Sequence, residues 1–181
     1  MRQWGGRLVL LAALIAICVL AWGWLFPSPE RAIRKRLTEV AQTCSFSASE
    51  TPVAKFQNSQ KLASFCSDDV EVAIDAYGQH VICNGRDEVF KSLMFARTQV
   101  LSSLSIEFLD PVITLASDKQ TASVNVTIKG KVPNDRDMLV QECKFIFRKV
   151  GRTWLIQKVE TVKTLSRLSE LRSDGGKLQF A

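Results

Sequence analysis

Residues 121–132, TASVNVTIKGKV, alternate apolar and polar side chains with a period of two. In an extended strand successive side chains point to opposite faces, so this segment has one apolar face and one polar face. The apolar set is Ala122, Val124, Val126 and Ile128, and the polar set is Ser123, Asn125, Thr127 and Lys129. The pattern predicts an antiparallel strand with one buried face.

The segments around this strand extend the same pattern. Residues 138–150 and 153–162 are strand-like, and Gly151-Arg152 between them predicts a hairpin turn. Residues 104–116 form a further strand, broken by a bulge or bend at Asp110-Pro111, because proline has no N–H to give to a sheet. We therefore expect four long antiparallel strands in the C-terminal half.

Helices dominate the first half of the chain. The clearest is residues 86–101, and earlier helices are predicted over residues 30–41 and 51–65. A short hairpin of strands at 68–77 and 80–83 lies between the second and third helices. The residues of the third helix that recur at helical spacing are Val89, Phe90, Leu93, Met94, Arg97 and Leu101. Helices gathered at one end and strands at the other predict an α+β fold.

Residues 8–26, LVLLAALIAICVLAWGWLF, contain no charged side chain. A helix of this length covers roughly 28 Å, which is close to the hydrocarbon core of a bilayer. Tryptophans near both ends suit an aromatic belt at each interface, and Pro27 and Pro29 stop the helix. The segment predicts a retained single-pass transmembrane anchor.

Two alternatives to a retained anchor stay open: a cleaved secretory signal, with Ala21-Trp22-Gly23 as a weak cleavage site, and a buried core helix. Orientation is also open. Only Arg2 and Arg7 precede the span, and more basic residues follow it. Counting the Lys and Arg residues near its two ends would therefore place the domain that follows the span in the cytoplasm. A very short tail before a lone first span commonly leads to export of the domain behind the span, and we expect export. The bases after the span are Arg31, Arg34, Lys35 and Arg36.

The net charge is +6, from 24 basic and 18 acidic side chains. A scattered excess of this size keeps a domain soluble, and no stripe of interleaved arginines and aromatics predicts nucleic-acid binding. The bases that come after the span are expected to form a solvated face near phospholipid headgroups. The membrane is therefore the expected anionic partner.

Two local patterns accompany this order of elements. The first, Asn84-Gly85-Arg86-Asp87-Glu88-Val89-Phe90, opens the third helix, and the second, Gly151-Arg152-Thr153-Trp154-Leu155-Ile156, opens the last strand. Together with the element order they resemble the nuclear transport factor two-like superfamily, which includes SnoaL-like polyketide cyclases and ketosteroid isomerases. The likeness covers roughly residues 30–162.

The resemblance implies a cone of curved antiparallel sheet wrapped on a long helix, often around a pocket. It also implies that Trp154 is buried, closing the cone against the third helix near Phe90 and Met94. A span before such a domain is similar to several bacterial envelope proteins, among them anchored SnoaL-like proteins and, more remotely, the inner-membrane scaffold of type IV secretion systems. Those domains face the periplasm.

Isomerase and cyclase members of that superfamily need an Asp base or an Asp–His pair in a pocket, with a donor that stabilises the enolate. Asp75, Tyr77 and His80 are the residues of this chain that could supply such a set. They straddle the turn at Gly78-Gln79, where side chains usually meet water. We therefore expect no catalytic residues.

No metal or cofactor site is expected, because the chain has one histidine, no C-x-x-C pair and no phosphate-binding or dinucleotide-binding glycine pattern. Cys18 lies in the predicted span. In an oxidising compartment Cys44 and Cys66, at the ends of the first two helices, could form a disulfide. Cys83 and Cys143 lie in apolar strands, where core thiols are commoner.

The sequence thus favours a membrane-anchored, non-enzymatic binding or scaffolding module that faces the periplasm or cell exterior. Residues 1–29 form the anchor and its flanks, 30–162 the domain and 163–181 a polar tail with a short helix. A protein partner, a homodimer or a small apolar ligand would suit it. The alternatives are an isomerase-like or cyclase-like enzyme and an assembly component of a secretion-like envelope complex.

Overall fold

The computed structural model describes residues 28–76, 79–100, 103–131 and 138–167. Within these ranges three α-helices and six strands succeed one another, with a π-helical turn, Ala96–Val100, directly after the third helix. The helices are α1 (Pro29–Cys44), α2 (Pro52–Ser64) and α3 (Arg86–Phe95). The strands are β1 (Cys66–Ala76), β2 (Gln79–Asn84), β3 (Ser105–Leu115), β4 (Thr121–Lys131), β5 (Met138–Val150) and β6 (Thr153–Arg167). The predicted α+β class is confirmed.

The first two helices begin where the sequence places a cap. Ser28 accepts a hydrogen bond from the Arg31 amide at 3.3 Å, and Thr51 accepts one from the Ala54 amide at 3.3 Å. A proline in the first turn of each helix has no N–H to leave unsatisfied. These caps fix the positions at which α1 and α2 start.

The six strands form one sheet in the order β2-β1-β6-β5-β4-β3. Every neighbouring pair is antiparallel except β1 and β6, which run parallel. The prediction of a wholly antiparallel sheet is therefore wrong at this pair. The first strand meets the last one of the chain, a pairing between distant segments that no local pattern encodes.

The hydrophobic core lies between α1 and the inner face of the sheet. Ile33, Leu37 and Val40, one stripe of α1, are almost completely buried. The sheet supplies Ala122, Val124, Val126, Cys143, Phe145, Phe147, Trp154, Ile156 and Val159. Burying a side chain of this size contributes about 1.5–3 kcal/mol to stability. The predicted burial of Trp154, which is 4% exposed, is confirmed, but the third-helix residues that reach this core are Val89 and Leu93, not the predicted Phe90 and Met94.

The helix on which the sheet packs is thus α1, and not the helix predicted over residues 86–101. No residue of α3 is fully buried, although Val89 and Leu93 contact the edge of the core. The helical spacing of α3 is regular, but its apolar side chains are shared between the core and α2, where Phe90 meets Phe56 edge-on at 5.5 Å. The α-helix ends at Phe95, where the π-helical turn begins.

The Asn84–Phe90 motif makes a junction between β2, α3 and β1. Gly85 has a φ of +87°, a conformation that favours glycine. Glu88 accepts the Asn84 amide at 2.7 Å, and the Arg86 guanidinium donates to the Cys66 carbonyl at 2.6 and 3.1 Å and pairs with Asp68 at 2.8 Å. The motif therefore acts structurally in this chain.

Strand β6 continues to Arg167, five residues past its predicted end at Val162. The added residues pair with β5; for example, Arg167 lies opposite Leu139. This part of the segment is therefore a strand, where the sequence predicted a short helix. No helix in the part of the chain that the structure describes is long and apolar enough to cross a membrane. The predicted anchor, residues 8–26, lies outside the described residues.

Candidate functional site

A groove of about 730 Å³ separates α1 from the edge strand β3, and we call it the α1–β3 groove. Its helix wall includes Arg34, Leu37, Thr38 and Ala41, and its strand wall includes Ile106, Phe108, Leu109 and Pro111. Ligand sites in proteins commonly have volumes of about 300–1,000 Å³ and mostly apolar walls. The groove has the size and the lining of such a site.

The helix wall results from the same periodicity that builds the core. Leu37 points inward with Ile33, and Thr38 and Ala41 stand one and four positions further along, beside that stripe. Arg34 lies at the start of the wall with an exposed side chain. The helix wall is therefore apolar at Leu37 and Ala41, polar at Thr38 and basic at Arg34, towards the N-terminal end of the helix.

The strand wall is closed at one end by the residues directly after α1. Phe46 and Leu104 exchange two backbone hydrogen bonds of 2.8 and 2.9 Å, as two paired strands would. The Ser45 hydroxyl accepts the Ile106 amide at 2.9 Å and donates to the Ala41 carbonyl at 2.9 Å. These contacts fix the distance between α1 and β3 where the groove begins.

A buried ion pair lies behind that closed end. The Arg97 guanidinium donates to both Glu50 oxygens, at 2.8 and 3.0 Å, and also to the Thr43 carbonyl. Glu50 accepts a further bond from the Asn58 amide group at 2.5 Å, and Arg97 stacks over the Phe46 ring at 4.7 Å. The pair connects the end of α1, the start of α2 and the π-helical turn. It therefore stabilises the segments that lie at the closed end of the groove.

The sequence reasoning missed this pair. It placed Glu50 at the end of a loop and counted Arg97 among the apolar positions of a helix. That placement was itself a signal, because a charge on an apolar helix face is rarely buried without a partner. The spacing does not say which acid is the partner, since Glu50 lies 47 positions earlier in the chain.

The structure brings Asp75 and His80 together at the end of the β1–β2 hairpin. Asp75 Oδ1 and His80 Nδ1 are 2.7 Å apart, and the two side chains are 52% and 58% exposed. Thr161 Oγ1 accepts the Asp75 amide at 3.0 Å, and Gln141 donates to the Asp75 carbonyl. Tyr77 lies outside the described residues. The Asp–His pair is thus formed, but at the surface.

A second, smaller depression of about 330 Å³ lies where β3 to β6 run side by side. Asp110, Val112, Asn125, Glu142 and Val162 line it. Around it Glu107 pairs with Lys129 and Lys144 with Glu160, at 3.7 and 3.8 Å. This surface of the sheet carries the exposed side chains of Val112 and Val162 between its ion pairs.

Four cysteines fall within the described residues, and all carry free thiols. Burial raises the pKa of Cys44 to about 12, with a smaller rise from the nearby Cys66 and a lowering by Arg97. Burial likewise raises the pKa of Cys66 to about 11. The two thiols lie near each other, as the sequence suggested, but they are unbonded and poor nucleophiles at neutral pH.

Burial also raises the pKa of Cys143, which a hydrogen bond with Thr161 partly offsets. In the described ranges no three histidine, cysteine, aspartate or glutamate side chains are grouped so that they could hold a metal ion. The predicted core positions of Cys83 and Cys143 are confirmed, since both are buried.

No family model and no curated protein matches the sequence of this chain. Solved structures do match its fold. A protein of Novosphingobium aromaticivorans DSM 12444, provisionally named a scytalone dehydratase, has a TM-score of 0.60 at 18% identity over 76% of this chain and 85% of its own. A nuclear transport factor two-like protein of unknown function from Pseudomonas putida KT2440 has a TM-score of 0.58 at 12% identity over 80% and 92%.

A domain of unknown function with a cystatin-like fold from Nostoc punctiforme PCC 73102 has a TM-score of 0.59 at 16% identity, over 83% of this chain and 86% of its own. Identities this low establish the fold alone. The fold of the chain is that of the nuclear transport factor two-like and SnoaL-like domains, as the two sequence motifs indicated.

Proposed function

We propose that the protein is a non-enzymatic binding module, tethered to a membrane by residues 8–26 and facing the periplasm or cell exterior, that takes its partner in the α1–β3 groove. The observation that carries the proposal is the groove itself. It is about 730 Å³ in volume, has apolar walls from Leu37, Ala41 and Phe108, and opens to solvent. Such a surface favours binding over water-excluding chemistry.

The interior of the cone supports the same proposal. In many folds of this shape the cone encloses a pocket, but here Phe145, Phe147 and Trp154 pack with the α1 stripe into a continuous apolar core. The buried charges, Arg97 and Glu50, satisfy each other and have further partners in Thr43 and Asn58. Arg97 and Glu50 therefore have a structural role.

The tether is supported by the sequence and by the direction in which the domain begins. Residues 8–26 are long enough to span a bilayer, and α1 starts two residues after Pro27. Arg31 and Lys35 are exposed on the first turns of α1. A tether at this end places those bases beside lipid headgroups, where each contributes about 1 kcal/mol with anionic lipid.

Site-specific photo-crosslinking in cells tests the groove. A photoreactive phenylalanine at Thr38 should capture a discrete partner, and Ala41→Trp, which fills the groove, should abolish that capture. The same probe at Lys119, in the exposed β3–β4 turn, is the matched control. Equal capture from both positions would contradict the groove as the site.

Membrane extraction tests the tether. The protein should resist alkaline carbonate, release only with detergent and retain its N-terminal residues by intact mass. Protease added outside the inner membrane should cut the domain if it is exported. A mature chain that begins near Trp24 would contradict the retained anchor.

The second candidate function is an enzyme of the isomerase or cyclase kind. The observation in its favour is the 2.7 Å contact between Asp75 and His80, the pairing in which a carboxylate orients a general base. Its weakness is exposure, because a base that works on a carbon acid needs an enclosed site with an oxyanion donor. The binding module is the better-supported function.

A further inference from the structure

We propose that the occupant of the α1–β3 groove is an extended segment of a partner polypeptide, which adds to the free edge of β3 as a short strand and places an acidic side chain against Arg34. This rests on the proposed function, since it concerns the same groove. It specifies the chemistry of the partner: a polypeptide backbone, apolar side chains on one face and a carboxylate at one end.

The first argument comes from the direction of the backbone groups of β3. Among the strands that the structure describes, β3 is the last of the sheet, with a neighbouring strand, β4, on one side only. In an antiparallel strand the N–H and C=O of one residue point to the same side, and successive residues alternate. Leu104 bonds Phe46, and Ile106 bonds Ser45, both on the side away from β4. The next residue with this orientation is Phe108.

The N–H and C=O of Phe108 therefore point into the groove. Within the ranges that the structure describes, neither group has a partner on that side. Beyond Phe108 the edge stops, because Asp110 has a φ of +49°, the register with β4 shifts between Leu109 and Val112, and Pro111 has no N–H. The free edge is a short window that ends at this bulge.

The fold already uses this edge in the way we propose. Phe46 is not part of a named strand, yet it exchanges two backbone hydrogen bonds with Leu104, as an added strand would. A partner segment continues that pairing from Phe46 towards the bulge. Strand addition of this kind derives affinity from main-chain bonds and specificity from pockets for alternate side chains.

The second argument is charge complementarity. Arg34 precedes Ser45 by eleven positions, about 16 Å of helix, and Ile106 to Pro111 is about 16 Å of strand. Since Ser45 bonds Ile106, Arg34 lies near Pro111, at the far end of the groove. Its guanidinium has no ion pair among the described residues, and Arg31 and Lys35 are exposed beside it. This end attracts a carboxylate.

The length of the groove sets the length of the segment. An extended chain advances about 3.3 Å per residue, so roughly five residues fill the distance from Ile106 to Pro111. In those five, alternate side chains meet the apolar wall formed by Leu37, Ala41 and Phe108. A suitable probe is acetyl-Asp-Val-Thr-Val-Thr-amide, together with its reverse order for the parallel orientation.

The experiment measures amide hydrogen exchange of the full chain in nanodiscs, resolved on fragments that cover residues 106–109. With either probe at saturation, the Phe108 amide should exchange at least tenfold more slowly. The same peptide with N-methylated valines keeps the side chains but loses the N–H donors, so it should give no protection. Protection by the methylated peptide, or by neither probe, would overturn strand addition.

Variants separate charge from backbone. Arg34→Glu should weaken the probe at least tenfold, whereas Lys119→Glu, the same charge reversal in an exposed turn, should leave binding unchanged. Equal effects of the two variants would overturn the role of Arg34. If Phe108 is protected without any probe and becomes exposed when residues 168–181 are deleted, the chain's own tail fills the edge and the partner proposal is wrong.

The same design separates this inference from the proposed function. Capture of a partner from Thr38 with an unprotected Phe108 amide would leave a binding groove without strand addition. Protection that grows with protein concentration would identify a second copy of the chain as the occupant, and would overturn a distinct partner polypeptide.

Discussion

Arg97 and Glu50 form an ion pair of 2.8 Å with side chains that are 1% and 9% exposed. Three further contacts complete it: the Asn58 amide on the carboxylate, the Thr43 carbonyl on the guanidinium and the Phe46 ring beneath it. Charges removed from water carry a desolvation cost, so a buried pair is favourable only when both members are well bonded. Here both are, and the pair determines how α1 ends beside β3.

Removing one member of the pair should therefore be severe. Arg97→Met leaves the Glu50 carboxylate buried without its counter-ion, and we expect a loss of about 3–5 kcal/mol in the free energy of unfolding. The double variant Arg97→Met with Glu50→Leu should recover much of that loss. Chemical denaturation of a chain that begins at Ser28 measures both.

The matched control is an exposed pair. Lys144 and Glu160 lie 3.8 Å apart with side chains that are 39% and 34% exposed. Lys144→Met should cost less than about 1 kcal/mol, because solvent screens such a pair. Similar losses for Arg97→Met and Lys144→Met would mean that the buried pair contributes no more to stability than an exposed pair does.

Trp154 provides a test of the core. Its side chain is 4% exposed and belongs to the cluster formed by α1 and the inner face of the sheet. Trp154→Ala should cost about 3–5 kcal/mol through lost burial and the cavity that remains. Leu155→Ala, one position along and half-buried, should cost clearly less. A loss below about 1 kcal/mol for Trp154→Ala would contradict the position of the last strand in the core.

Most of the fold could be predicted from the sequence because it depends on local patterns. The caps at Ser28 and Thr51 and the turn at Gly151, whose φ is +60°, are readable from single residues. Which helix packs against the sheet could not be predicted from local sequence. The stripe Ile33, Leu37 and Val40 and the stripe of α3 look alike in sequence, and only the path of the sheet decides which one it covers.

The candidate site could be predicted only in part. The Asp75–His80 contact and its exposure result from a tight hairpin, which local sequence indicates. The α1–β3 groove joins segments about 70 positions apart, so its existence depends on tertiary packing. The same is true of the bond between Ser45 and Ile106, which sets its width.

The buried thiols should resist alkylation. Relative to an ordinary thiol pKa of 9.0, values of about 12 for Cys44 and about 11 for Cys66 lower the thiolate fraction at pH 8 by about a thousandfold and a hundredfold. Labelling by iodoacetamide should rise about tenfold per pH unit below those pKa values. Peptide mass mapping measures each site, with the chain in guanidinium as the fast reference.

The same shifts link stability to pH. The unfolded chain loses the Cys44 proton above pH 9.0 and the native protein keeps it until about pH 12, so this thiol's contribution to the free energy of unfolding falls as pH rises through that window. Cys44→Ser should make this decline shallower. Labelling of Cys44 at pH 8 as fast as in guanidinium would contradict its burial.

The last prediction concerns His80, the only histidine in the sequence. Its side chain is 58% exposed and its Nδ1 contacts Asp75, which leaves Nε2 directed away from that contact and open to reagents. Diethylpyrocarbonate should therefore modify it at a rate within about threefold of a free imidazole, monitored as one equivalent by ultraviolet absorbance. Asp75→Asn should leave this rate and the unfolding midpoint nearly unchanged, because an exposed pair contributes less than about 1 kcal/mol. A catalytic dyad in an enclosed site would behave differently: modification would be slow, Asp75→Asn would change it strongly, and the enzyme candidate would then overtake the binding module.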